Sequence, residues 1–437
     1  MASTYLSKTI TPSNYNRRKF TLSAWVKKAD DSVAASPILG FHGSTDYTMI
    51  RVDASSGVEF ICYQSSSVVA RKQTNMKLRD FSGWYHVVVA VDTDNGTASY
   101  RNRIYVNGEE QTSFSIDTNA SSGLDLINNN QTNFDIGSSV DQGGSRGYFG
   151  GILSHVHYCE GYQYSPSDFG ETDATTGEWK IKTDVSVSYG TNGFFILKDG
   201  NSVTDQSGNG NNWTVGAGTL TNTEDNPSNV FCTWNPNYRS ARKDMTLTNG
   251  NTFIFEQNSG DSGVSGTIAV SSGKWYWEQI IAQVNGTNAA IIGGLHTTED
   301  FNESPTDALS NNTCGLRANG NVYKNGTDLG NFTTANPNGD IFGIAFDADN
   351  GSVYFWRNGT ALNSGNAIIT GLDMTKTWIP FGVQHGGARV TTSTNFGNGY
   401  FQTTAVSSAG TNASGIGIFE YDVPTGYTAL STKGLNL

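Results

Sequence analysis

Hydrophobic positions in this chain recur with period two, in short runs separated by Gly and Asn. In Phe20-Thr-Leu-Ser-Ala-Trp-Val26, Phe20, Leu22, Ala24 and Val26 fall on one face and Thr21, Ser23 and Trp25 on the other, the pattern of a strand with one core face. Ile38-Leu-Gly-Phe41 and Gly83-Trp-Tyr-His-Val-Val-Val-Ala-Val91 predict further strands. Arg103-Ile-Tyr-Val-Asn-Gly-Glu109 predicts a hairpin, because Asn107-Gly108 supplies the positive φ angles a type I′ turn requires.

The second half repeats this grammar. In residues 341–346 both alternating sets are apolar or small, which suits a strand covered on both faces. Asp347, Asp349, Asn350 and Gly351 force a turn, and residues 353–356 run back antiparallel. Asn-Gly pairs at 319/320 and 325/326 predict a three-stranded meander with two tight turns, and Asn358-Gly359 closes another hairpin. Residues 219–231 are polar and carry Pro227, which marks a linker. The expectation is an all-β chain with almost no helix, folded as two β-sandwich domains in tandem: residues 1–218, a linker at 219–230, and residues 231–437 ending in a C-terminal tail.

Composition narrows the function. The 437 residues suit two or three domains, and 36% hydrophobic residues are enough for ordinary cores. Charged residues are only 15%, with 51 Gly and 9 Pro, as expected of many short strands joined by Gly/Asn turns. A net charge of −12 argues against nucleic acid, whose binding rests on clustered Lys and Arg. No apolar stretch approaches the roughly 20 residues that cross a bilayer, so no membrane insertion is expected. The N-terminus, Met-Ala-Ser-Thr-Tyr-Leu-Ser-Lys, has no apolar signal core, which predicts a protein made and kept in a cytosol until something releases it. Cys62, Cys159, Cys232 and Cys314 lie far apart, as buried reduced thiols would, with no zinc-type spacing.

Candidate chemistry is sparse. Glu171 and Asp173, two apart on an extended segment, are the nearest approach to a glycosidase carboxylate set, and the third carboxylate of an E-x-D-x-x-E strand is missing. No G-x-S-x-G is present. His155 and His157 share a strand face without a third metal ligand, and His42, His86, His296 and His385 are scattered. Asp92, Asp94 and Asn95 gather oxygen ligands in one turn and form the candidate calcium site; Asp347-Ala-Asp-Asn350 is a weaker one. Trp275 and Trp277 share one face, with Tyr276 on the other. Tyr47, Tyr162 and Tyr164 are loop aromatics that could stack on sugars. No residue is a candidate catalyst, and no cofactor other than calcium is indicated.

The run Gly339-Asp-Ile-Phe-Gly-Ile-Ala-Phe-Asp-Ala-Asp-Asn-Gly-Ser-Val-Tyr-Phe-Trp-Arg-Asn-Gly359, preceded by Ser272-Gly-Lys-Trp-Tyr-Trp-Glu278 and followed by Asn395-Phe-Gly397, resembles a SPRY domain over roughly residues 226–400. That resemblance implies a non-catalytic sandwich that binds through its loops, with Trp275 and Trp277 inside. The strand with Trp25 and the segments Ile38-Leu-Gly-Phe-His-Gly43, Trp84-Tyr-His-Val-Val-Val-Ala-Val-Asp92, Arg103-Ile-Tyr-Val-Asn-Gly-Glu-Glu-Gln111 and Phe134-Asp-Ile-Gly-Ser-Ser139 resemble a laminin-G-like, concanavalin A-type jelly roll over residues 1–218. Relatives of that type often hold calcium near ligand-binding loops. Asp205-Gln-Ser-Gly-Asn-Gly-Asn-Asn-Trp213 matches a segment that opens many such modules and here closes one, consistent with neighbouring termini.

Tyr5-Leu-Ser-Lys8, Lys19-Phe-Thr-Leu-Ser-Ala-Trp-Val-Lys27, Phe169-Gly-Glu-Thr-Asp173, Gly177-Glu-Trp-Lys180 and the tail from Pro424 to Leu437 are similar to a family of bacteriophage virion proteins that pair these two modules. The resemblance implies a virion structural protein, assembled in the host cytoplasm and exposed on the particle in many copies. Its expected partners are other capsid or tail proteins and a host-surface glycan or protein. With no heptads to form a shaft, a head or tail decoration or appendage is favoured over a receptor-binding tail fibre or tip subunit. A polysaccharide-processing enzyme is disfavoured by the missing carboxylate triplet and the missing signal peptide.

Overall fold

Strands account for the regular structure, and short 3-10 turns are the only helical elements among the described residues. The computed structural model describes residues 3–10, 16–29, 35–43, 45–127, 133–141, 143–198, 200, 203–239, 245–256, 262–284, 290–298, 312–335, 338–384 and 390–436. Two compact units divide the chain, Met1–Leu220 and Thr221–Leu437. No helix among the described residues is long and apolar enough to cross a membrane.

In the first unit an eight-stranded sheet runs Phe114–Thr118, Ser67–Lys77, Gly57–Gln64, Tyr47–Asp53, Ala35–His42, Asn133–Ile136, Tyr5–Thr9, Thr214–Ala217. A six-stranded sheet runs Phe194–Ile196, Gly151–Glu160, Lys19–Lys28, Tyr85–Asp92, Asn102–Val106, Glu109–Glu110. Phe20, Leu22, Ala24 and Val26 meet Ile50, Val52, Val58, Phe60, Phe134 and Ile136 in one core, each of the side chains larger than alanine worth about 1.5–3 kcal/mol on full burial.

The strand Lys19–Lys28 departs from its sequence reading. Thr21, Ser23 and Trp25 are buried as fully as the core set, because the chain after Glu160 crosses back over that side. The Thr21 hydroxyl donates to the Tyr162 carbonyl and accepts the Tyr164 N–H, both at 2.8 Å. Trp25 stacks on His86 at 4.8 Å. Polar side chains whose hydrogen bonds are met can be buried without penalty, so alternation here reports polarity and not exposure.

Asn107 and Gly108, with φ of 49° and 84°, form the predicted hairpin turn. The segment 205–213 is a turn tied by the Asp205 carboxylate, which accepts the N–H groups of Phe195, Ser207 and Asn211. The strand that follows it, Thr214–Ala217, pairs antiparallel with Tyr5–Thr9 and lays the end of the unit beside its beginning.

The second unit stacks a seven-stranded sheet (Trp234–Arg239, Ser262–Gly266, Trp378–Gln384, Ala290–Thr297, Thr313–Arg317, Asn321–Lys324, Thr327–Asn331) on a second sheet (Met245–Thr248, Phe253–Glu256, Val390–Asn395, Lys274–Val284, Ile341–Asp347, Ser352–Arg357, Thr360–Ala361). Trp234, Trp275, Trp277, Ile344, Phe355 and Phe396 fill the space between. The expected meander forms. Its second turn carries positive φ at Asn325 and Gly326, its first at Gly320 only, with Asn319 Oδ1 accepting the Asn321 N–H.

Residues 341–346 are covered on both faces, as their pattern predicts. Phe342, Ile344 and Phe346 enter the main core, whereas Ala345 joins Tyr276, Phe231, Phe419, Val423 and Ala429 in a second layer on the other side. That layer is built by the C-terminal segment, whose Thr428–Ala429 lies parallel to the strand Lys274–Val284. The stretch 219–230, read as a linker, carries structure of its own. Asn222 N–H donates to the Tyr400 hydroxyl, Glu224 N–H to the Asn398 carbonyl and Val230 N–H to Thr432 Oγ1. All four cysteines are free and buried.

Candidate functional site

On the eight-stranded sheet of the first unit, residues alternating with the core set point outward. Arg51 lies opposite Glu59, Met49 opposite Ile61 and Tyr47 opposite Tyr63. Glu59, fully buried, is held between Arg51 (Nε to Oε2, 2.5 Å) and Arg71. Asp135 is held by His42 (Nε2 to Oδ2, 2.8 Å) and by Arg146, whose guanidinium lies 4.4 Å from the centre of the Tyr5 ring. Gly40 faces this group. A Cβ there would fall 2.2 Å from Ser139 Oγ, so only glycine admits the hairpin Ser138–Val140 and Arg146–Tyr148 against the sheet. Tyr47 stacks on Tyr63 at 5.5 Å, yet is only 7% exposed. Burial pushes its phenol up from its ordinary range. Tyr47 is therefore a covered residue and not an open stacking surface.

The turn expected to bind calcium has its oxygens already engaged. Asp92 Oδ2 meets Lys19 Nζ at 2.8 Å and Oδ1 accepts the Asp94 N–H. Asp94 Oδ1 faces Arg18, and Asn95 Oδ1 accepts the Thr97 N–H. Two cations stand where a divalent ion would add positive charge, so this donor set does not fit calcium. No group of three or more His, Cys, Asp and Glu side chains able to hold a metal occurs among the described residues. Adding millimolar calcium, or a chelator, is expected to leave the melting temperature of the first unit unchanged; a saturable rise with calcium would contradict this reading. The turn at Asp347 is likewise tied internally, its carboxylate accepting from Asn350 and pairing with Lys274 at 3.2 Å.

Glu171 and Asp173 sit on an exposed hairpin, Gly170–Thr172 with Trp179–Ile181, and share one cation, Lys180 Nζ, at 3.5 and 3.0 Å. Asp173 also accepts the N–H groups of Thr175 and Thr176, and these bonds with Lys180 hold its carboxyl well below the usual carboxylate range. Such a group is a turn anchor and too weak a base for proton transfer near neutrality.

The structure brings together two Ser–His pairs that sequence spacing could not reveal. Ser23 Oγ is 2.8 Å from His86 Nε2, and Trp179 Nε1–H donates to His86 Nδ1 at 3.0 Å. Since Nδ1 accepts, Nε2 carries the proton and donates to Ser23. This imidazole cannot take a proton from the hydroxyl, and burial lowers its pKa to about 3. The second pair, Ser265 Oγ and His296 Nε2 at 2.8 Å, has the opposite polarity, because His296 Nδ1 meets the Thr297 carbonyl at 2.7 Å. Ser265 and His296 are both buried, with the imidazole packed edge-on against Phe381, so no substrate reaches the hydroxyl in this arrangement.

His157 stacks on Phe195 at 3.8 Å and meets the Tyr189 hydroxyl at 2.9 Å, while His155, at φ 47° in a bulge, contacts Ser154 Oγ and lies tilted toward the Phe195 ring at 5.9 Å. Both histidines take packing roles. Trp275 and Trp277 lie in the core, as the SPRY resemblance implies. His385 and residues 128–132 fall outside the described residues. Tyr162 and Tyr164 form a parallel stack at 5.5 Å, with Tyr162 41% exposed.

Residues 3–160 match the family model described as the Concanavalin A-like lectin/glucanases superfamily. No curated protein matches the chain. Among solved structures it is similar to the SPRY domain of human HERC1 (17% identity, 37% of this chain and 96% of that chain, TM-score 0.31). It is also similar to a candidate carbohydrate binding protein from Bacteroides ovatus (18%, 51% and 59%, TM-score 0.36). A third likeness is to a heptameric SAP-like pentraxin from Limulus polyphemus (17%, 36% and 70%, TM-score 0.27).

Proposed function

We propose that this is a non-catalytic binding protein: a virion structural protein, exposed on the head or tail of a bacteriophage particle, that engages host-surface glycan or protein weakly and through many copies. The superfamily matched by residues 3–160 contains both lectins and glucanases, so the choice between binding and hydrolysis falls to the carboxylates. One observation carries it. Among the described residues, the buried carboxylates of the eight-stranded sheet, Glu59 and Asp135, are each locked between two cationic or imidazole groups, and those of the six-stranded sheet are engaged as well, Asp92 by Lys19 and Glu160 by the N–H groups of Asn16 and Asn192. An acid/base pair for glycoside hydrolysis needs one carboxyl free to hold a proton and the other free to face the sugar ring. The phage assignment rests on the sequence segments at both ends of the chain that resemble virion proteins.

Weak single sites become useful when linked, since multivalency raises avidity by about 10²–10⁴. Antibody against the protein is expected to label intact purified particles. Beads carrying many copies are expected to bind host cells where the soluble chain does not. Reducing-sugar release from host polysaccharide by the purified chain, or particles that never label, would overturn the reading.

A further inference from the structure

We infer that the first unit closes itself covalently, the Lys8 amine and the Asn211 carboxamide forming an intramolecular isopeptide bond that ties the strand Tyr5–Thr9 to the turn entering the strand Thr214–Ala217. Such a bond concerns the first unit alone and is independent of the role proposed above. Lys8 stands where a lysine is not expected. It follows Leu6 by two residues and pairs in register with Phe134 as Leu6 pairs with Ile136, and residues directly opposite on antiparallel strands share a face. Leu6, Phe134 and Ile136 all belong to the core. Lys8 therefore leaves its strand on the core face, the side on which Trp213 meets Phe134 edge-on at 4.9 Å.

The end of the lysine side chain meets one carboxamide. Lys8 Nζ donates to Asn211 Oδ1 at 2.8 Å, across a sequence separation of 203 residues. The other end of that carboxamide fixes its orientation, because Asn211 Nδ2 donates to the Thr191 and Gly193 carbonyls, both at 2.9 Å, and an oxygen cannot stand where two acceptors converge. The backbone is held too, Asn211 N–H donating to Asp205 Oδ2 at 2.8 Å. Burial lowers the Lys8 pKa and outweighs the opposing attraction of the Asp205 carboxylate. More of the amine is then neutral, the form that acts as a nucleophile.

The step balances without a further reagent. Neutral Nζ adds to Cγ of Asn211 and the new C–N bond forms; the Cγ–Nδ2 bond then breaks as Nδ2 takes up the proton that Nζ gives up, and ammonia leaves. One amine and one carboxamide become one secondary amide and one ammonia. The Asp205 carboxylate favours the positive charge that Nζ carries while the bond forms. Nζ already lies at the carboxamide oxygen, and a small shift toward Cγ brings the reacting atoms to the near-attack separation of about 3–3.5 Å; effective molarities of about 10⁵–10⁸ M in well-oriented pairs are what an amide, inert to free amines, requires. The location gives the bond a use. Thr214–Ala217 is exposed throughout, ends the eight-stranded sheet and pairs with Tyr5–Thr9 across a register shift, so it is the kind of element that frays first. The bond would enclose nearly the whole unit in one covalent loop.

The test is intact mass spectrometry of the full chain, purified and held for days at neutral pH, followed by sequencing of its tryptic peptides. The wild type is expected to weigh one ammonia less than its sequence, to resist cleavage after Lys8, and to yield one branched peptide joining Lys8 to Asn211. Lys8→Arg and Asn211→Ala are expected to keep the full mass and yield no branched peptide. Lys8→Arg, which retains the charge and a donor, should melt about 10 °C or more below the cross-linked wild type, since closing so long a loop restricts the unfolded chain. Asp205→Asn should slow the appearance of the branched peptide at least tenfold. A wild type of full mass, with Lys8 and Asn211 recovered in separate peptides, would overturn the proposal. So would a loss of ammonia that maps to a succinimide at an Asn-Gly turn. The wild-type chain decides both outcomes, so neither depends on a variant folding.

Discussion

Lowering the pH from 7 to 5 is expected to destabilise the first unit by about 2 kcal/mol through His86 alone, roughly 4–8 °C in melting temperature for a unit of this size. His86 is enclosed by Ser23, Trp25 and Trp179, and burial holds its pKa near 3 against 6.5 for a free imidazole. A base whose folded pKa is depressed stabilises the fold fully above the unfolded value. That contribution is lost as pH falls from 6.5 toward 3, because only the unfolded chain takes up the proton. His157 acts in the same direction, its pKa lowered first by burial and then by His155. The measurement is the melt of a fragment 1–220 across pH 5–8, beside His86→Gln, in which the acid loss should shrink even though the variant is weaker at pH 7. An acid loss of equal slope in wild type and variant would dispose of this account.

The second unit is expected to respond in the opposite sense. Glu278 is buried and has no cationic partner among the described residues, and its carboxylate accepts from the Glu420 and Tyr421 N–H groups at 2.8 Å, from Asn395 Nδ2 and from the Tyr276 hydroxyl. Burial outweighs these four donors and raises its pKa from 4.5 to about 7. An acid whose folded pKa is raised stabilises the fold fully below its unfolded value, and that stability drains away as pH rises through 7. Between pH 5 and 8 the fragment 221–437 should lose about 2–3 kcal/mol, and Glu278→Gln should flatten the profile. Glu278→Ala strands four donors, two of which, the Glu420 and Tyr421 N–H groups, pin the C-terminal segment to the sheet, at a cost of about 3–5 kcal/mol. A melt of Glu278→Ala within about 2 °C of wild type would mean the segment is held elsewhere.

The parts of the site that were legible in sequence are those fixed by local chemistry. Asn107-Gly108, Asn325-Gly326 and Asn358-Gly359 all adopt the positive φ angles their composition requires, since a hairpin turn is decided by the residues within it. Tyr162 and Tyr164 were identifiable as loop aromatics. Their rank over Tyr47 was not, because Tyr47 occupies an outward strand position that other parts of the unit cover. The calcium turn failed for a similar reason: Asp92, Asp94 and Asn95 have the right oxygens, but Arg18 and Lys19 arrive from a different part of the chain.

By itself the sequence determined the all-β class, the strands and the tight turns, because period-two alternation and Asn-Gly pairs act over a few residues. The tertiary structure decided which polar residues are buried, as at Thr21, Ser23, His86 and Glu278, and how the C-terminal segment builds a second apolar layer on Tyr276 and Ala345. Burial and hydrogen-bond satisfaction depend on groups distant along the chain, and no local pattern encodes which of them will meet.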